Sequence, residues 1–189
     1  MVVAFGPVAV TISRMNDTFL RHGLTRTFPF LLVSILVVAN NAHAKSAFAG
    51  SVSYVSDGDT LWVRPDAGGP PRKLRIDGID APEICQTGGE AALEVLRQLV
   101  LHQHVEVTIR RNDDYGRALA RIRLDGHDLG AQMVQAGQAW SYRWRRALGP
   151  YAAEEAVARQ TRLGLFAQDQ AELPRDFRQR HGSCHDAPR

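Results

Sequence analysis

VSYVSDGDTLWVRPDAGGPPRKLRIDGIDAPE, residues 52–83, is the stretch on which the fold turns. Val52 to Val55 and Thr60 to Arg64 read as two short strands joined through the Asp57-Gly58 turn. Asp66 to Pro71 (DAGGPP) is a loop, because its Gly and Pro residues defeat both helix and sheet. Arg72 to Ile79 resumes as a strand, with Leu74, Ile76 and, past Gly78, Ile79 as its apolar members.

Downstream, the chain breaks at Thr87-Gly88-Gly89 and then offers Thr87 and Glu90 as a capping box. Behind it, Ala92, Leu93, Leu96, Leu99 and Val100 keep near-helical spacing, which predicts a helix from about Glu90 to Leu101. Val105, Val107 and Ile109 alternate as a strand does. Leu119 to Leu124 alternates again after a turn at Asn112 to Arg117, with Ala120, Ile122 and Leu124 on one face. A short helix capped by Asp128 should stop near Gly137, and another should run from about Pro150 to Leu163. Five short strands, one inserted helix and two appended ones predict an α+β, mostly β domain. Its form would be a five-stranded OB-like Greek-key barrel with about three helices packed beside it.

Upstream, Arg21 and Arg26 precede an apolar run from Phe28 to Ala39, followed by Ala42-His43-Ala44. Charged region, apolar core and small-x-small site together predict a signal peptide over 1–44, with Met15 as an alternative start. The run is shorter than the roughly 20 apolar residues a membrane span needs; an uncleaved N-terminal anchor is the competing reading. The expected organisation is therefore signal 1–44, leader 45–51, domain 52–167 and a polar tail 168–189 with little structure of its own. The expected location is secreted or periplasmic, with no stable membrane span after signal removal.

From residue 45 onward, 20 Lys and Arg face 19 Asp and Glu. So balanced a chain has no sheath of charge for indiscriminate duplex binding. Positive charge is local instead, at Arg110, Arg111, Arg117, Arg121 and Arg123 and again at Arg143, Arg145 and Arg146. Two cysteines, Cys85 and Cys184, invite a disulfide that would pin the tail to the loop after Glu83. A metal site from His181, Cys184, His185 and Cys85 is the alternative, but its spacing fits no standard zinc pattern.

The chemistry-bearing residues lie close together. Asp59 follows directly on a turn, where a strand residue points into a barrel or its mouth. Asp80 and Glu83 sit in a loop with no long helix to serve. Arg75 lies inside a strand pattern, where a guanidinium is costly unless it meets an anion. Arg117 follows a tight Tyr-Gly turn. Carboxylates suit a hard divalent cation, and arginine forks suit the charge that develops on a phosphoryl group under attack.

Read in order, DGDT at 57–60, RIDGIDAPE at 75–83 and DDYGRALA at 113–120 resemble the staphylococcal nuclease (thermonuclease) family. The resemblance covers about Val52 to Phe166. It implies a calcium-dependent endonuclease with DNA and RNA as substrates, single strands preferred, little sequence specificity, and 3′-phosphate and 5′-hydroxyl ends. On that resemblance Asp59, Asp80 and the Ala81 carbonyl are the calcium ligands. Glu83 is the general base, and Arg75 and Arg117 bracket the scissile phosphate. Tyr115 would bond a substrate phosphate, while Tyr142 and Trp144 would stack on a base. The expected enzyme is a monomer with no obligate protein partner. The chain departs from the family where the loop after Glu83 is short, lacks a lysine-rich insertion and holds Cys85. The rival reading is a non-catalytic, single-strand-binding OB-like module, which would have no use for Asp59, Asp80 and Glu83 together.

Overall fold

The computed structural model describes residues 46–113, 116–145, 147–167, 171–182 and 184. Along the chain run β1 (Ala47–Asp57), β2 (Thr60–Pro65), β3 (Arg72–Ile76), β4 (Ile79–Asp80), α1 (Gly89–Val100), β5 (His104–Asn112) and β6 (Ala118–Leu124). There follow β7 (His127–Asp128), α2 (Leu129–Gln135), β8 (Trp140–Ser141), α3 (Ala152–Gln160), a 3-10 turn (Gly164–Ala167) and α4 (Pro174–His181). Among the described residues no helix is long and apolar enough to cross a membrane.

Five strands close the expected barrel. β1 lies antiparallel between β2 and β5, β2 pairs with β3, and β5 with β6. A parallel pairing of β3 with β6, Leu74 opposite Ala118 and Ile76 opposite Ala120, completes the ring. The alternation that predicted the strands fills it: Leu61, Val63, Leu74, Ile76, Val105, Val107, Ala120 and Ile122 are all at most 1% exposed. Leu96 and Val100 of α1 and Leu129 and Met133 of α2 join the same core. Each buried Val, Leu, Ile or Met among them contributes about 1.5–3 kcal/mol by its burial.

A slip in strand register helps to place the acidic residues. β1 is irregular between Val55 and Asp57, immediately before the turn that carries Asp59. A bulge bends its strand and re-aims the residues beyond it. The turn is then fixed to β3, whose Ile76 N–H donates to the Asp59 carbonyl at 2.8 Å. Outside the barrel, β4 and β8 form a two-residue ladder, Asp80 opposite Trp140, which sets Asp80 beside the end of β3. A smaller apolar cluster of Trp140, Ala158 and Phe166, with Leu165 and Leu173 against it, holds α3 and the segment leading into α4.

Three local expectations fail. Residues 47–51, read as leader, are the first half of β1 and pair with His104–Thr108; the small residues there carry little strand signal, and the partner strand supplies it. The Thr87–Glu90 capping box does not form. The N-cap of α1 is Gly88 at φ 89°, without a side-chain bond, because the tight turn from Glu83 to Gly89 needs a left-handed residue at that point. The polar tail contains a helix, α4, with Pro174 in its first turn.

Candidate active site

Asp59 is 2% exposed, at the mouth of the barrel. Leaving a carboxylate there unpaired would be costly, and both of its oxygens have partners. Arg75, held in β3 between Thr60 and Leu119, forks onto it, with Nη1 2.7 Å from Oδ1 and Nη2 2.7 Å from Oδ2. The same Nη2 reaches Oδ1 of Asp80 at 2.9 Å. Thr60 Oγ1 and the Ala81 N–H also donate to Asp59, at 2.9 and 3.3 Å. One guanidinium thus bridges two buried carboxylates. Burial pushes the Asp59 carboxyl up to about 6, with Arg75 pulling the other way. Burial raises Asp80 as well, again against Arg75.

Glu83 stands on the turn that leads into α1. The turn is closed by Gln86 N–H to the Glu83 carbonyl and Gly89 N–H to the Gln86 carbonyl, each 2.8 Å. A Cβ on Gly89 would collide with the Glu83 carbonyl oxygen, so glycine permits the turn to fold so tightly against the helix start. Buried Gln86 braces the turn from both sides: its Oε1 accepts from the Glu83 N–H, and its Nε2 donates to the Glu172 carbonyl at 2.7 Å. The Glu83 carboxylate faces α4, where Arg178 Nη1 lies 2.6 Å from Oε1. Nη2 of Arg178 lies 3.5 Å from Oδ2 of Asp80. Cys85 and Cys184 are joined in a disulfide, Cα to Cα 5.8 Å.

Beyond these carboxylates an open groove of about 630 Å³ is lined by Arg75, Asp80, Arg117, Tyr142, Trp144 and Arg178, among others. Arg117 leans on Asp113, with Nε to Oδ2 at 2.6 Å and its own N–H to Oδ1 at 2.8 Å. The aromatic lip hangs from Glu155, a buried acid of α3. Glu155 accepts from the Ser141 N–H at 2.9 Å, from Arg143 at 2.7 Å and from Arg159 at 2.8 Å. Tyr142 N–H donates to the Gly78 carbonyl at 2.8 Å, tying the lip to the turn between β3 and β4. Trp144 is left 65% exposed.

A family model described as staphylococcal nuclease homologue matches residues 73–168, about half of the chain. This chain belongs to the staphylococcal nuclease family. Family membership places it among the hydrolytic nucleases. Its relatives include a micrococcal nuclease of Shigella flexneri, 35% identical over 76% of this chain and 87% of that protein. A protein of Escherichia coli named ParB is 34% identical over 82% of this chain and 91% of its own length. An uncharacterized endonuclease of Haemophilus influenzae is 29% identical over 78% and 84%.

In this staphylococcal nuclease domain the residues expected from sequence largely converge. Asp59, Arg75 and Asp80 form one bonded cluster, Glu83 joins it through Arg178, and Arg117, Tyr142 and Trp144 share the groove. Tyr115 lies outside the described residues. One detail differs from the sequence-based expectation. Asp80 is not exposed in a loop but buried in β4, 6% exposed, because pairing with Trp140 draws it under the lip. Arg75 meets Asp59 and Asp80, while Asp77 pairs with Arg111 at 3.1 Å. Sequence reasoning missed Gln86, Glu155 and Arg178. The signal for Arg178 was the expected disulfide itself, which ties the arginine-rich tail to the loop beside Glu83.

A divalent cation, which the family implies, fits the donor set. Among the described residues no group of three or more His, Cys, Asp or Glu has metal-site spacing, so protein side chains alone would not complete a shell. Yet Asp57, Asp59, Asp80 and Glu83 act on a centre where Arg75 and Arg178 are the facing cations. Four carboxylates against two guanidiniums leave room for a double positive charge. Asp59 and Asp80, with the Ala81 carbonyl, are the residues that would hold it.

Proposed function

We propose that this nuclease is a calcium-dependent, exported endonuclease that hydrolyses phosphodiester bonds of DNA and RNA with little sequence preference. Single strands are its preferred substrate, and 3′-phosphate and 5′-hydroxyl ends its products. The observation that carries the reading is the pair of buried carboxylates, Asp59 and Asp80, bridged by Arg75 beside Glu83 and opening onto an arginine- and aromatic-lined groove.

Oxygen donors of this kind suit a hard cation, whose remaining ligands would be water and substrate oxygens. When bound, it supplies Lewis-acid polarisation of the phosphate. The chain's own residues do the rest. Arg75 and Arg117 flank the groove and stabilise charge on the phosphate oxygens as a fifth bond forms. Glu83 takes the proton of the attacking water, and the P–O bond to the 5′-oxygen breaks, that oxygen taking a proton from solvent water to become the 5′-hydroxyl. An arginine is too weak an acid to serve as proton donor at ordinary pH, so both guanidiniums act electrostatically. Tyr142 and the exposed Trp144 offer flat faces for unpaired bases, a contact indifferent to base identity.

Hydrolysis of heat-denatured DNA by the purified protein tests this reading, with calcium, with manganese and with a calcium chelator. Calcium-supported cutting that stops with the chelator is expected, leaving ends that accept a 5′ label without prior phosphatase treatment. Strand binding with no cutting under any condition would leave a binding module in place of the enzyme.

A further inference from the structure

Helix α4 is too short to persist alone in water, and its one fully buried residue is Pro174. Fasteners at both of its ends keep it on the domain. Ahead of it, Leu173 enters the small apolar cluster and the Glu172 carbonyl accepts from Gln86. Behind it, Cys184 is bonded to Cys85, and Cys85 N–H also donates to Cys184 Sγ at 3.1 Å. Both fasteners grip the turn that carries Glu83. Between them Arg178 extends across the same turn, with one nitrogen on Glu83 and the other on Asp80.

We propose that Arg178 is a further residue of this active site, a positioning residue that holds Glu83 and Asp80 in register and is itself held by the Cys85–Cys184 disulfide. The inference rests on Glu83 being the base and Asp80 a cation ligand. Arg178 takes Oε1 of Glu83, and among the described residues Oε2 accepts no hydrogen bond; that second oxygen is the one free to receive a proton. The arginine therefore orients the carboxylate without occupying it. Glu83 otherwise stands on a turn braced by Gln86, and no residue from Glu83 to Gly89 belongs to the barrel's core cluster. A planar fork that spans two carboxylates removes their freedom to swing apart. It also joins the catalytic turn to a covalent bond that a thiol reagent can open.

The test uses the whole protein and four forms: wild type, Glu83→Gln, Arg178→Ala and Arg178→Lys, each oxidised and then reduced with dithiothreitol and alkylated. Oxidised Arg178→Ala should lose between about 10- and 100-fold in kcat, as partners of catalytic ligands do, with KM changed far less. Arg178→Lys should recover part of this. Reduction should lower wild-type kcat to the level of Arg178→Ala and should lower Arg178→Ala no further. In the metal-free protein, amide hydrogen exchange at Gln86 and Gly89 should quicken in the reduced wild type and in Arg178→Ala alike, which reads positioning without any reaction. Unchanged kcat and exchange in Arg178→Ala would overturn the proposal, and a faster enzyme would make Arg178 a clamp to be released. Equal further losses on reducing Arg178→Ala would show the disulfide acting on something else. Full activity in Glu83→Gln would instead overturn the role of Glu83, and the exchange data would still report on Arg178.

Discussion

Asp59 keeps its proton to about pH 6 in the folded, metal-free protein, against an ordinary aspartate value of 3.8. Between those values the folded state binds a proton that the unfolded state has released, so this group's contribution to stability falls as pH rises through the window. Urea midpoints measured without metal should decline from about pH 4 to about pH 6 in wild type relative to Asp59→Asn. Parallel curves would mean that Arg75 fully offsets the burial. A proton on Asp59 also competes with a cation, so calorimetry should find calcium bound more weakly below that upper value than above it. Arg75→Lys should cost about 100-fold or more in kcat/KM, since an ammonium cannot bridge Asp59 and Asp80 as the fork does; equal activity would reduce Arg75 to a structural partner. Glu83→Gln should lower kcat by roughly 10²–10⁴ while nucleotide binding persists, and a near-normal rate would remove Glu83 as the base.

At the scale of single elements, the aromatic lip depends on α3. Glu155→Ala strips the Ser141 N–H, Arg143 and Arg159 of their shared acceptor. The two arginines are about half exposed, so the loss belongs near the low end for a broken buried pair, about 3 kcal/mol. Chemical denaturation should show it, and KM for single strands should rise because Tyr142 and Trp144 are carried on the same segment. How far each element was legible depends on where its stability arises. Strands β2, β3, β5 and β6 announce themselves through pairs such as Leu61 and Val63 or Val105 and Val107, whose spacing alone tells which face is buried. Helix α4 could not, because its support comes from Gln86 and Cys85, about ninety residues or more away in sequence. The failed capping box at Thr87 makes the same point in reverse: a local signal lost to a turn that two glycines made tighter.

For the molecule as a whole, the pairing that closes the barrel left no local mark. Parallel closure of β3 on β6 joins strands with a helix and two other strands between them, and no residue type signals it. The motifs around Asp59, Asp80 and Arg117 were readable only as an ordered set, since each alone is an ordinary turn. The disulfide spans a sequence separation of 99 and on the chain-entropy model stabilises by about 4–5 kcal/mol. Reduction should therefore lower the melting temperature by well over the few degrees that a 1 kcal/mol change gives a domain of this size; an unaltered melt would mean that the tail detaches without disturbing the barrel. Synthesis gives that bond one more consequence. A ribosome delivers the barrel strands first and both aspartates with them, while Arg178 and Cys184 emerge after every strand has appeared. With Arg178 as the positioning residue, a chain interrupted past Phe166 carries both buried aspartates but lacks the clasp on Glu83 and Asp80. Wherever such a chain forms its barrel, it should do so unarmed.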